Sequence, residues 1–147
     1  MPQPTPRQRV IPYLAYADAP AAIDFLVAAF GFEERFRYPM EDGRIGHAEL
    51  ALGDSVVMLA SVYPEFGFAS PQDLPAVPGQ VLCYVDDVDR HHARAREAGA
   101  TVIAAPRDEE HGDRMYRALD CEGGRWMFAS PVSSASSVPG AGVGGSG

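Results

Sequence analysis

The sequence predicts an α+β fold made of two tandem βαβββ modules, two half-barrels set around a common pocket. Three observations carry this reading. The order strand, helix, glycine, strand, turn, strand, turn, strand occurs twice, with the copies about 69 residues apart. In each copy one segment has helical character and the others are short, apolar and bounded by turn residues. Finally, 147 residues with 46% hydrophobic content suffice for one domain with a substantial core. A single α+β domain without duplication is the competing reading, because strands and helices recur in many small proteins.

The first module opens with a strand over Val10 to Ala17, followed by Asp18 as a helix cap. Ile23, Leu26, Val27 and Phe30 then form one apolar stripe on a helix that ends near Gly31. Three strands follow, at Glu33 to Met40, Ile45 to Leu52 and Ser55 to Val62. The second module repeats the plan: a strand at Val81 to Val85, a cap at Asp86 or Asp87, and a helix ending near Gly99. Its remaining strands are expected at Thr101 to Ala105, Met115 to Leu119 and Arg125 to Pro131.

The stretch 63–78 between the modules holds four prolines and the aromatics Tyr63, Phe66 and Phe68, too apolar for a plain solvated linker. It reads as a lid over the pocket or as a contact with a partner subunit. The expected organisation is therefore a mobile tail at 1–8, one domain at 9–132 (modules 9–62 and 79–132) and a flexible Ser/Gly-rich tail at 133–147. Such tail compositions bury too little apolar surface to offset the entropy of ordering.

Composition narrows the function. The formal charge is −8 and all twelve basic residues are arginine, scattered along the chain, so a phosphate backbone would be repelled and nucleic acid is not an expected partner. Without lysine there is no Schiff-base chemistry and no lysine general base. No apolar run is long enough for a membrane helix and no secretory leader opens the chain, so the expected location is the cytoplasm. Cys83 and Cys121 lack metal-like spacing and are expected as reduced thiols. Ser55 lies in a Gly-Asp-Ser turn outside any nucleophile-elbow context, and no glycine-rich phosphate cradle occurs.

Several short runs, taken in order, carry a resemblance. They are Gly46-His47-Ala48-Glu49-Leu50, then Gly53-Asp54-Ser55-Val56-Val57-Met58-Leu59, the pieces Tyr63-Pro64-Glu65 and Ser70-Pro71-Gln72, and Gly112-Asp113-Arg114 leading to Asp120, Gly123 and Trp126. Over about residues 9 to 132 the chain resembles the vicinal oxygen chelate superfamily of glyoxalase I, bleomycin-resistance proteins and extradiol dioxygenases, and within it the PhnB-like branch. The resemblance implies a partly open eight-stranded barrel of paired modules, assembled as a homodimer. It also implies, in metal-dependent members, one ligand on the first and last strand of each module.

Carried onto this chain, those four positions are Ile11, Met58, Gln80 and Met127. Such metal sites need three or four N or O donors at about 2.0–2.2 Å, and one neutral amide does not supply them. No metal and no other cofactor is expected, and glyoxalase-type isomerisation and extradiol cleavage are disfavoured.

Strand alternation sends Ile11, Tyr13, Val56, Met58, Ala60, Gln80, Leu82, Tyr84, Arg125 and Met127 to the concave face. Leu14, Tyr16, Val57, Leu59, Val81, Cys83, Val85, Trp126 and Phe128 go to the helix side. The candidate ligand pocket is thus Ile11, Tyr13, Met58, Gln80, Tyr84, Arg125 and Met127, joined by Arg114 as a partner for an anionic group. Met58 and Met127 equally suit a barrel that has closed and lost its cavity.

His47 and Glu49, two apart on one strand, are the candidate catalytic pair, with a structural role across the sheet as the alternative. His91 and His92 point in different directions from one helix and read as surface residues. Two functions remain open. One is a metal-independent binding protein that sequesters an aromatic or peptidic antibiotic, for which the net charge favours a cationic guest. The other is a lyase, isomerase or epimerase of the same fold using His47, Glu49, Gln80, Tyr13 or a metal.

Overall fold

In the computed structural model, residues 6–132 are described; the expected tail at 133–147 and residues 1–5 of the N-terminal one lie outside them. The element order is that of two βαβββ modules. The first comprises β1 (Tyr13–Tyr16), α1 (Ala19–Phe30), β2 (Glu33–Pro39), β3 (Ile45–Leu52) and β4 (Ser55–Ser61). The second comprises β5 (Val81–Tyr84), α2 (Val88–Glu97), β6 (Thr101–Asp108), β7 (Asp113–Leu119) and β8 (Arg125–Pro131).

Each module forms its own four-stranded mixed sheet, ordered β1-β4-β3-β2 and β5-β8-β7-β6. The first strand of each runs parallel to the last, with Tyr13 beside Met58 and, 69 residues on, Leu82 beside Met127. That shared register is the duplication in physical form. Among the described residues no strand pairing joins the sheets, so the barrel is open.

Local chemistry fixes the helices. The Asp18 carboxylate accepts from the Ala21 N–H at the start of α1, Pro20 sits in the first turn where no N–H is needed, and Gly31 closes the helix at φ 81°. On α2, Asp87 caps the Arg90 N–H. That helix buries only Val88 and Ala95, whereas α1 buries six residues.

One core serves both modules. Tyr16, Leu26, Leu50, Leu59, Tyr116, Trp126 and Phe128 are fully buried in it, and Phe30 of α1 lies 4.7 Å from the ring of Phe128 in the second sheet. Every residue assigned by alternation to the helix side belongs to this core or packs on it. The parity inferred from the strands is therefore the observed one.

Two carboxylates in the β7–β8 turn tie the modules together. Asp120 accepts from the Tyr16 hydroxyl at 2.6 Å and the Trp126 indole N–H at 2.9 Å, and from the backbone N–H groups of Glu122 and Gly124. Glu122 accepts from the N–H groups of Ala17 and Asp18 at the head of α1 and from the Ser70 hydroxyl. Both are buried with their polar atoms satisfied, as burial of charge requires.

The linker is a folded segment with two single 3₁₀ turns at Pro64–Phe66 and Pro71–Asp73. Ser70 is its buried anchor, Arg44 lies 4.0 Å over the Tyr63 ring, and Phe68 meets Tyr13 edge-on. Only Phe66 of its three aromatics stays fully exposed. Ahead of β1, the Gln8 amide bonds both the N–H and the C=O of Val56 on β4.

Candidate functional site

The sheet faces turned away from the helices carry the candidate site. On the first sheet one cross-strand row runs Tyr13, Met58, Glu49, Phe36, and the next contains His47 beside Tyr38. Tyr13 reaches across β4 to place its hydroxyl 2.7 Å from His47 Nδ1. The reach is open because Ala60, the residue after Leu59 on β4, contributes only a methyl group. Phe36 flanks His47 at 5.9 Å and Phe68 covers Tyr13 at 6.1 Å between ring centroids. Desolvation, with a smaller contribution from Tyr63, raises the Tyr13 pKa above its ordinary value. Glu49 shares this face without a side-chain bond among the described residues.

The outer face of the second sheet is set by pairs that alternate with the core. Tyr116 faces Phe128 and Ala118 faces Trp126 inward, so Arg117 beside Met127 and Leu119 beside Arg125 face outward. Leu82 and Tyr84 complete this face. Tyr84 donates to Asp113 at 2.6 Å, and that bond raises its own pKa. The position that holds Glu49 on the first sheet, opposite the methionine of the last strand, holds Arg117 on the second.

Of the candidate pocket residues, Tyr13, Gln80 and Arg125 line one cleft of about 520 Å³, whose wall is the linker from Gly67 to Pro78. Tyr84 lines a second cleft of about 650 Å³ with Gln8, Val10 and His91. Ile11, Met58 and Met127 are half-buried and border neither. Arg114 stands apart from all of them. It pairs with Asp89 at 3.1 Å and Asp108 at 3.2 Å, on the side of the sheet where α2 begins.

His91 departs from the surface position expected of it. It is half-buried between the modules, with Nε2 2.7 Å from the Phe30 carbonyl and Nδ1 2.6 Å from the Tyr116 hydroxyl. Since only an N–H can meet the carbonyl, Nε2 carries the proton and Nδ1 accepts from Tyr116. Neither thiol is activated: burial pushes Cys83 up to about 12, and burial with the Asp120 and Glu122 carboxylates pushes Cys121 up to about 11.

Comparison with known proteins places this geometry. A family model described as the Glyoxalase/Bleomycin resistance protein/Dioxygenase superfamily matches residues 10–128. The chain belongs to that superfamily. Its relatives include the uncharacterized protein Mb0911c of Mycobacterium bovis, 38% identical over 124 residues that span 82% of each protein. Among solved structures it is similar to TioX from Micromonospora sp. ML1, at 33% identity and TM-score 0.66, covering 86% of this chain and 98% of that one. A glyoxalase/bleomycin resistance protein/dioxygenase family enzyme from Burkholderia phytofirmans PsJN shares the fold at 23% identity and TM-score 0.64, covering 82% and 95%.

At the four positions to which the resemblance carries a metal-binding pattern, the residues present do not fit an ion. Ile11, Met58, Gln80 and Met127 offer one amide and two thioethers, and among the described residues no three His, Cys, Asp or Glu side chains converge to hold an ion. No helix among the described residues is long and apolar enough to cross a membrane.

Arg117, His91, Ser70 and Glu122 were missed as structurally or chemically important by sequence reasoning. Arg117 was within reach: carrying the alternation of β8 back through the short Asp120–Gly124 turn places it beside Met127.

Proposed function

We propose that this superfamily member, of the PhnB-like branch, is a metal-independent cytoplasmic binding protein that sequesters a small aromatic or peptidic compound, an antibiotic being the type of guest. The observation behind this reading is a set of uncovered aromatic and apolar side chains at the faces where related enzymes hold a metal. Tyr13, Phe36, Tyr38, Leu82 and Tyr84 are each more than 40% exposed in the single chain. Sites of this kind take flat, greasy molecules by apolar contact and orient them with few polar groups, here Gln80 and Arg125. The linker carrying Tyr63, Phe66 and Phe68 serves as the lid, and the working assembly is a homodimer.

Metal content tests the reading. Protein purified without chelator should hold well under one equivalent of zinc, nickel, iron or manganese per chain by elemental analysis. A stoichiometric ion would overturn it.

The 2.7 Å contact between Tyr13 and His47 favours a second reading, an isomerase, lyase or epimerase in which this pair moves a proton. His47 takes the Tyr13 hydroxyl proton at Nδ1 as the Tyr13 oxygen takes a proton from a bound substrate, and the reverse transfer returns a proton to the substrate, with Glu49 on the same face. Under that reading His47→Ala abolishes turnover while leaving ligand affinity in place.

A further inference from the structure

We propose that the outer face of the second sheet is an anion subsite in which Arg117 and Arg125 together hold the carboxylate, or an equivalent acidic group, of an aromatic ligand. This rests on the binding reading above and names the chemistry of the guest.

The arginines of the folded chain divide cleanly. Arg35, Arg37, Arg44, Arg107 and Arg114 pair with carboxylates, and Arg94 donates to the Val27 and Ala28 carbonyls at the end of α1. Arg7, Arg9, Arg90 and Arg96 are exposed on the surface. Arg117 and Arg125 are half-buried, yet among the described residues neither has an ion pair or a side-chain hydrogen bond. In a chain with 20 acidic and 12 basic residues, two half-buried guanidinium groups without a carboxylate in hydrogen-bond contact among the described residues are the exception. The acids nearby make their hydrogen bonds elsewhere: Glu109, within range of the Arg117 charge, bonds Arg107 at 3.0 Å, and Asp113 accepts from Tyr84 at 2.6 Å.

Register brings the two together. Arg117 pairs with Met127 and Arg125 with Leu119, so the arginines are diagonal neighbours on one face, about 7–8 Å apart at Cα. Guanidinium groups on such a diagonal can close on one carboxylate, one through two parallel N–H donors and the other through a single N–H to an outer lone pair. Met127 and Leu82 lie beneath as an apolar floor. Arg125 also opens onto the cleft holding Tyr13, Phe68 and Leu74, which suits the aromatic body of the same molecule. The two guanidinium charges are thus opposite in sign to the overall charge of −8 from which a cationic guest is expected.

The test is calorimetric titration of the full chain with three probes sharing one ring system: 2-naphthoate, 2-naphthamide and 2-naphthylmethylammonium. Naphthoate should bind about tenfold more tightly than the amide, and the ammonium most weakly, as charge-assisted bonds exceed neutral ones. Arg117→Gln and Arg125→Gln should each collapse the naphthoate-to-amide ratio toward one, Arg117→Lys should keep part of it, and thermal melts should match the parent protein. Amide or ammonium binding as tightly as naphthoate, or a ratio that survives both substitutions, overturns the subsite and leaves the binding protein standing. If none of the three binds, both readings fall.

Discussion

Asp120 has four donors converging on one carboxylate: a phenol, an indole and two backbone amides. Tyr16 belongs to the first module and the others to the second, so the residue bonds across the seam inside the shared core. The Tyr16 pKa lies well above its ordinary value, first from burial and then from the carboxylate beside it, so its proton stays in the bond at any physiological pH. Asp120→Ala removes the acceptor while leaving the buried Tyr16 and Trp126 donors without partners, at a cost of about 2–4 kcal/mol. Urea unfolding measures it, as a lower midpoint at unchanged slope. Gly124 is required here for space: a Cβ would press directly on the Asp120 carboxylate. Its place in the resemblance run made Asp120 visible in the sequence, yet nothing in the sequence indicates its partner 104 residues away. Long-range polar bonds have no periodicity to betray them.

Elements were more legible than their connections. β3 and β8 run over the segments expected of them because alternation and flanking glycine turns bound both. β1 is shorter than expected, beginning at Tyr13, because Pro12 has no N–H for the ladder, although its carbonyl still accepts from Met58. β6 is longer, continuing to Asp108 through Pro106, which is tolerated because β6 is the edge of its sheet and the register shifts between Ala104 and Arg107. The second helix is where the sequence was least informative. Its meeting with α1 depends on Arg94 capping the last α1 carbonyls and on His91 at the Phe30 carbonyl. Burial, and then the charge of Arg94, hold the His91 pKa below its ordinary value, while the Phe30 carbonyl opposes them. Below about pH 6.5 the unfolded chain therefore binds a proton that the folded chain resists, and stability falls as pH drops through that window. His92 is shifted in the same direction by desolvation and Arg96 and adds to the effect. The melting temperature should decline from about pH 7 to about pH 5, and His91→Gln should flatten that slope; an unchanged slope would remove His91 as its cause.

At the scale of the whole molecule, strand parity identifies which side chains leave the core, but the assembly that covers them lies beyond any one chain's alternation. The same side chains that make the site apolar are poorly shielded in a single copy. Phe66 is 81% exposed, Tyr38 and Tyr84 58% each, and Phe36 50%, all on the linker or the outer sheet faces. A monomer seldom leaves so many large apolar groups in contiguous reach of water without a partner or ligand for them. The linker covers only part of these faces: Phe68 meets Tyr13 edge-on, while Phe36, Tyr38 and Tyr84 stay exposed beside it. A second copy is the economical cover, since a twofold axis brings each exposed face an identical partner. Light scattering should therefore give about twice the chain mass of 15.8 kDa at micromolar concentration. Replacing Phe36 and Tyr84 together by Ser should shift the species toward one chain mass by weakening apolar contact, with melting still cooperative because neither residue is in the core. A parent protein that stays monomeric at those concentrations would leave the faces to ligand alone and remove the homodimer from the proposed function.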